Sequence, residues 1–300
     1  MPARFTAYPP DGPALIRLLQ DDVSYRIGRA HDCELCVEHF SISRFHAELR
    51  GSQSGWSLSD IGSKNGLRVD GHMTEHISMN KATWFAVGDV YCWLELIDAA
   101  AVAMFRAHDE RRRSISRSLS SRLLSSLGTA TLLPQTLDVV LELTGLERGF
   151  VLYAAAGEPL RVRASRGLAN EEIAQQGFSG SVTAVDRALA EHQSVVCCDT
   201  NDSPWLGVRP SVRLGGIRAL VCVPLRVQGN AVGIVYADSR KPGPPITELD
   251  LELITNVADH AATALAASQL HGDVAEFLQA AANAGLQAPL WDDIRTKKSG

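Results

Sequence analysis

The chain has 300 residues, 45% hydrophobic and 21% charged, a mix that excludes a disordered or fibrous protein and gives length enough for two separate cores. Its 29 basic and 34 acidic residues leave a formal charge of -5, which excludes a nucleic-acid surface built on bulk positive charge, so any anion site must be local. The N-terminal MPARFTAYPPDG lacks an apolar stretch, and no later segment reaches the roughly 20 apolar residues of a membrane span. The expectation is a cytoplasmic protein without a membrane or direct nucleic-acid partner.

From about Pro13 to Asp98 the chain is a series of short alternating runs, among them LIRLL, SYRIGRA, RFHAELR, GWSLSD, TWFAV and VYCWLELI. Turn signals such as Asn-Gly, Asp-Gly and Gly-Asp separate them, and strands at this spacing predict an all-β sandwich or barrel. At about Ala99 the alternation stops. The segment AAAVAMFRAHDERRRSISRSLSSRLLSSLG places Leu119, Leu123, Leu124 and Leu127 at helical spacing, which predicts a connecting helix. From Arg106 to Arg122 it carries six arginines against Asp109 and Glu110, which reads as a solvated basic face; an anion-binding or kinase-substrate segment is the alternative.

After Pro134 helices and strands interleave. PQTLDVVLELTG and SVTAVDRALAEHQ read as helices; RGFVLYAA, PLRVRASRG, SVVCCDT, ALVCVPLRV and NAVGIVYADS read as strands, the last two joined by the hairpin signal QGN. A final helix is expected from about Thr247 to Gln269, opened by Thr247 with Asp250 in the manner of a capping box. This pattern predicts an α+β domain with an antiparallel sheet. Leu249, Leu253, Val257, Ala261 and Ala264 form one stripe of that helix, suited to a core or to a parallel dimer seam, so a homodimer is an expectation.

Three clusters in the first domain carry chemistry: Gly28-Arg29, Ser43-Arg44 with His46, and Gly62-Ser63-Lys64-Asn65-Gly66. Loops gather at the ends of a sandwich, so these clusters can converge on one rim. Arg29, Ser43, Arg44, Lys64 and Asn65 would bring two guanidinium forks, an ammonium, a hydroxyl and an amide. Such donors match a phosphorylated side chain, with about -1.5 to -2 charges and three acceptor oxygens.

The run YRIGRAHDCELCVEHFSISRFHAELR, continued by WSLSDIGSKNGLRVDG, resembles a forkhead-associated (FHA) domain, with Gly-Arg, Ser-x-x-His and Asn-Gly signatures in order. The resemblance implies a β-sandwich that binds phosphothreonine peptides through loops at one end. It implies that Arg29 and Ser43 hold the phosphate, that Arg44 adds a contact, and that Asn65 binds the peptide main chain. Gly28 and Gly66 would permit the turns and His46 would brace the loop from inside. Lys64 departs from the threonine usual at its position, which adds charge and leaves the peptide preference open.

Two metal-like signals are set aside. His72, Glu75 and His76 match a zinc-hydrolase pattern that needs both histidines on one helix, whereas this run lies in expected β structure. Cys33 and Cys36 have metal-like spacing without a second Cys/His pair, and Cys36 is expected to pack inside a strand. No metal ligand is expected. The six cysteines show no disulfide framework and are expected to be reduced and mostly buried.

The stretch from about Ser120 to Gln269 resembles a GAF domain, most specifically in IRALVCVPLRVQGNAVGIVYADS followed by ITELDLELITNVADHAATAL. The resemblance implies an α+β sensor module whose cavity takes small molecules in some members and whose flanking helices often pair. Cys197, Cys198 and Cys222 read as small buried hydrophobes, and His192 and His260 as ordinary residues of helices. No cofactor is implied. The expected organisation is multidomain: an all-β FHA sandwich over 1–98, a basic helical linker over 99–119, an α+β GAF domain over 120–270, and a C-terminal helix and tail over 271–300.

No phosphate loop, nucleophile elbow or kinase signature set is present, so the expectation is a binding and signalling protein, not an enzyme. Its expected partners are a phosphothreonine-containing protein in a Ser/Thr kinase pathway, with output through a separately encoded partner such as a transcription regulator. Thr129 and Thr131 near the hinge offer an internal phosphosite as a further possibility. The alternatives are a metal-dependent hydrolase using His72, Glu75 and His76, or a cyclic-nucleotide-like receptor with a degenerate FHA domain.

Overall fold

Eleven strands form the N-terminal region of the computed structural model: β1 (Ala3–Tyr8), β2 (Leu15–Leu19), β3 (Ser24–Gly28), β4 (Leu35–Cys36), β5 (Ala47–Ser52), β6 (Gly55–Asp60), β7 (Leu67–Val69), β8 (His72–Thr74), β9 (His76–Met79), β10 (Thr83–Val87) and β11 (Val90–Leu96). The structure describes residues 1–52, 54–125, 129–154, 159–168, 180–241 and 243–283. Two sheets, ordered β2-β1-β11-β10-β7-β8 and β4-β3-β5-β6-β9, share one core. The period of two along each strand explains the arrangement: Ala3, Phe5 and Ala7 of β1, Ala47 and Leu49 of β5, and Cys92 and Leu94 of β11 all point inward and are fully buried. Burying a side chain such as Phe5 or Leu49 contributes about 1.5–3 kcal/mol over leaving it in water.

Helix α1 (Ala99–Ser125) leads to a second domain made of α2 (Thr129–Thr144), β12 (Arg148–Tyr153), β13 (Arg161–Arg166), α3 (Val182–Glu191), β14 (Val195–Cys197), α4 (Pro210–Gly215), β15 (Ala219–Val227), β16 (Asn230–Ser239) and α5 (Glu248–Asn283). Its antiparallel sheet runs β13-β12-β16-β15-β14. Both faces of this sheet are covered. Val151, Val221, Val223 and Val235 pack under α2 and α5, while Phe150, Leu220, Cys222 and Ile234 pack on the opposite side with α3. The hairpin between β15 and β16 turns on Gln228 and Gly229, both with positive φ (51° and 84°), the geometry of a type I′ turn.

Several expectations change here. Helix α2 starts five residues before Pro134, which it contains, and α5 extends well past Gln269 to Asn283. The capping box at α5 is present: Asp250 N–H donates to Thr247 Oγ1 (3.2 Å) and Thr247 N–H donates to the Asp250 carboxylate (2.8 Å). Val257 and Ala261 of the stripe belong to the domain's own core and Leu253 is buried as well, so this face is not free to serve as a dimer seam. Leu119, Leu123, Leu124 and Leu127 lie outside the residues whose side chains are described.

The basic helix α1 is not simply a solvated connector. Arg112 pairs with Asp250 and Arg113 with Glu252, both on α5, and Arg112 also donates to the Leu143 carbonyl at the end of α2 (2.8 Å). The two domains also meet at the β1–β2 turn. Ala14 N–H donates to Ile246 (2.8 Å), Glu248 N–H donates to Ala14 (3.0 Å), and Arg17 pairs with Glu248 at 2.7 Å. Cys198 belongs to this junction rather than to a strand: it is half-buried, with Sγ 3.7 Å from the carbonyls of Gly12 and Ile246, and burial pushes its thiol up to about 11. His192 is the left-handed cap that ends α3, not a helix-interior residue, and its Nδ1 accepts from Ala231 N–H. Among the described residues no helix is long and apolar enough to cross a membrane.

Candidate functional site

The sequence-derived candidates meet at one end of the first sandwich. The β3–β4 loop brings Arg29, the segment before β5 brings Ser43 and Arg44, and the β6–β7 loop brings Lys64 and Asn65. Ser43 is the hub. Its carbonyl accepts from Arg29 N–H (2.9 Å) and its hydroxyl oxygen accepts from Lys64 N–H (3.0 Å), so three loops are tied through one residue. Arg29, Arg44 and Lys64 are exposed, and none of the three has an acidic partner among the described residues.

His46 lies beneath this rim with no exposure. Its Nδ1 accepts from Ser43 N–H (3.1 Å) and its Nε2 sits 3.0 Å from the Gly66 carbonyl, which requires the tautomer protonated at Nε2. One imidazole thus spans two of the three loops. Asn65 is half-buried, and its amide nitrogen donates to the Ser41 carbonyl at 2.7 Å, so part of its hydrogen-bonding capacity serves the loop itself.

Two glycines are required by the geometry. A Cβ on Gly28 would lie 2.2 Å from the Arg44 carbonyl oxygen and 2.7 Å from Cys33 Sγ, because the backbone of the segment before β5 runs against it. Gly66 has φ +67°, a conformation side chains other than glycine resist.

Sequence reasoning passed over the scaffold of the third loop. Asp60 accepts from the amides of Gly62 (2.8 Å) and Ser63 (2.7 Å) and from the Ser63 hydroxyl, while Ser63 Oγ accepts from Gly66 N–H (2.9 Å). Partial burial pushes the Asp60 carboxyl up, but these donors together hold it below its ordinary value. The Asp-x-Gly-Ser spacing was the available signal, since an aspartate two or three residues before free amides forms an Asx turn. Ser41 was also missed; its hydroxyl accepts from Asp89 N–H at 2.8 Å and contacts His39, whose imidazole burial pushes down.

The zinc-hydrolase pattern does not assemble on one helix. His72 stands on β8 and His76 on β9, and His76 contacts the hydroxyls of Ser59 and Ser78. Cys33 is buried with its thiol on the Arg44 carbonyl (3.3 Å), whereas Cys36 is only half-buried, so it does not pack inside a strand as expected. The reason is register: in the two-residue β4, Leu35 takes the inward position and turns Cys36 away from the core.

Comparison with known proteins bears on both halves. The FHA domain family matches residues 25–90 and the GAF domain family residues 129–265. Similar solved structures include the FHA-1 domain of Rv1747 from Mycobacterium tuberculosis, 26% identical, covering 32% of this chain and 97% of that one with a TM-score of 0.28. The FHA domain of CT664 from Chlamydia trachomatis is 21% identical, with 33% and 100% coverage and a TM-score of 0.30. The GAF domain of a phosphoenolpyruvate-protein phosphotransferase from Coxiella burnetii is 13% identical, with 55% and 98% coverage and a TM-score of 0.44. No curated protein matches the chain. The chain thus contains an FHA domain over residues 25–90 followed by a GAF domain over residues 129–265.

Proposed function

We propose that the FHA rim binds a phosphothreonine peptide, with Arg29 and Ser43 on the phosphate, Arg44 and Lys64 adding charge, and Asn65 on the peptide main chain. The observation that carries this reading is the meeting of three exposed, acid-free cations around the Ser43 hub. Unpaired guanidinium and ammonium groups beside a hydroxyl and loop amides suit a multivalent anion. Gly28, His46 and Gly66 support the site without touching the ligand.

The GAF domain senses a small molecule or relays the signal, and the protein acts in the cytoplasm of a bacterium with a Ser/Thr kinase pathway or a transcription regulator as partner. The domain limits proposed are 1–98, 99–119, 120–270 and 271–300. Homodimerisation belongs to the same proposal, with its seam outside the Leu253, Val257 and Ala261 stripe; a monomer mass independent of concentration in light scattering removes it. The central test is an oriented phosphothreonine peptide library screened with the wild type and Arg29→Ala. Enrichment of phosphorylated peptides by the wild type and its loss in Arg29→Ala is the expected result. If neither protein enriches them, the FHA fold here is structural only.

A further inference from the structure

We propose that His31, Cys36 and Glu38 form a site for one divalent transition-metal ion of the zinc or cobalt class, beside the phosphate rim. An imidazole nitrogen, a thiol sulfur and a carboxylate oxygen, one from each residue, lie within 4.8 Å of one another. His31 Nδ1 and Glu38 Oε1 are 3.8 Å apart, too far for a hydrogen bond between them. With metal–ligand bonds of about 2.0–2.3 Å, donors on a tetrahedral ion stand roughly 3.3–3.6 Å apart. Closing the triad therefore needs only a small approach. His31 and Glu38 have side-chain exposures of 88% and 75%, which leaves their rotamers free to make it.

The local fold explains why these side chains share a face. Parallel pairing of β3 with β4 fixes Ile27 beside Leu35 and Gly28 beside Cys36, and Leu35 and Val37 are both buried in the core. Val37 N–H donates to the Gly28 carbonyl (2.9 Å), so the extended backbone continues through Val37. Its period of two then sends Cys36 and Glu38 to the outer side together. His31 reaches the same side from the β3–β4 loop. Cys33, the cysteine that spacing alone would pair with Cys36, points inward to the Arg44 carbonyl and is no ligand.

The donor set selects the metal. Magnesium and calcium take oxygen ligands, whereas nitrogen, thiolate sulfur and a carboxylate suit zinc and its cobalt substitute. Three protein ligands leave a coordination position for water or an incoming oxygen. His31 and Glu38 line a depression of about 420 Å³ together with Arg29, His39 and Phe40. A bound ion would neutralise Glu38, which lines the same depression as Arg29 without pairing with it, and raise the positive potential of the rim; this consequence rests on the phosphate reading, while the metal site does not.

The test is titration of the full, reduced chain with Co²⁺, without peptide, followed by absorption. The expected result is one ion per chain with a sulfur-to-cobalt charge-transfer band, displaced by Zn²⁺. Cys36→Ser should abolish the band, and His31→Ala and Glu38→Gln should each weaken binding at least about tenfold, the low end for outer-shell changes. Near-ultraviolet circular dichroism identical to wild type establishes that these variants are folded. Absence of the band at millimolar Co²⁺, or a band that survives Cys36→Ser, overturns the proposal. Phosphopeptide binding measured separately keeps a failed metal site distinct from a failed rim.

Discussion

Arginines are used in opposite ways in the GAF domain and on the FHA rim. In and around the GAF domain several are neutralised: Arg148 pairs with Asp238, Arg218 with Asp199, Arg226 with Asp259, and Arg112 and Arg113 with Asp250 and Glu252. On the FHA rim Arg29 and Arg44 stand exposed without an acid, and Lys64 with them. The first kind of arginine answers a charge in its own chain and helps to fix the fold. The second kind leaves a charge unanswered, and under the proposed function its counter-charge comes from the phosphopeptide. Removing a cation should therefore damage stability in one region and binding in the other.

The largest effect is expected at Arg148. Its side chain is 6% exposed and Asp238 is fully buried, with 2.5 Å between Arg148 Nε and the carboxylate. Burial pushes the Asp238 carboxyl up even against the pull of Arg148. Arg148→Ala strands a buried carboxylate, and breaking such a pair costs about 3–5 kcal/mol. A fall of that size in the unfolding free energy of the GAF transition, read from denaturant curves, with the FHA transition unmoved, is the expected outcome. The double variant Arg148→Met with Asp238→Leu should recover much of the loss, because neither charge is then buried alone.

At Arg29 the comparison predicts the reverse. Arg29→Ala should weaken phosphothreonine-peptide binding by about 2–5 kcal/mol, the range for truncating one member of a charge pair. Its thermal midpoint should barely move, since an exposed substitution away from special features stays within about 0.5 kcal/mol. Isothermal titration and differential scanning calorimetry on one preparation measure both. A variant that melts early while keeping its peptide affinity would place Arg29 with the structural arginines and break the contrast.

Legibility in the sequence divides along similar physical lines. The sandwich and the α+β sheet were readable because period-two alternation and turn residues are local signals, and the QGN hairpin and the Thr247/Asp250 cap behave as local chemistry requires. The convergence of the Arg29, Ser43 and Lys64 loops on one rim was readable because loops gather at the ends of a sandwich. What was not legible depends on residues far apart in sequence. The pairing of Arg112 with Asp250 is invisible to helical periodicity, so α1 read as a solvated face. Cys36 was assigned to the interior because a two-residue strand carries too little alternation to fix its phase, and Leu35 claims the inward position.

A smaller effect is expected within the rim, at Gly66. Its φ of +67° suits glycine, and an added Cβ would stand 2.3 Å from Met73 Cε, the flexible end of a side chain that can move aside. The backbone term then decides, and Gly66→Ala should cost about 1–2 kcal/mol. Because Gly66 accepts from His46, peptide affinity should fall with stability here, in contrast to Arg29→Ala. Paired denaturation and titration curves of the two variants separate a support residue from a ligand contact.

The smallest effect is a pH dependence at Glu34, an FHA carboxylate that does answer an arginine. Arg26 N–H donates to it at 2.9 Å, and this bond, with the amide of Glu34 itself and the Arg26 guanidinium, holds its carboxyl from 4.5 down to about 2. A carboxyl depressed in the folded state stabilises the fold fully above its unfolded value and loses that contribution as pH falls through the folded one. The FHA transition should accordingly weaken between pH 4.5 and about 2, and Glu34→Gln should flatten that slope. Both partners are nearly half exposed, so solvent and salt screen the pair and the slope difference should shrink in high salt. A Glu34→Gln protein whose midpoint follows the wild type across this window would show that the pair adds nothing to the fold. In that case paired arginines stabilise this chain only where they are buried, as at Arg148.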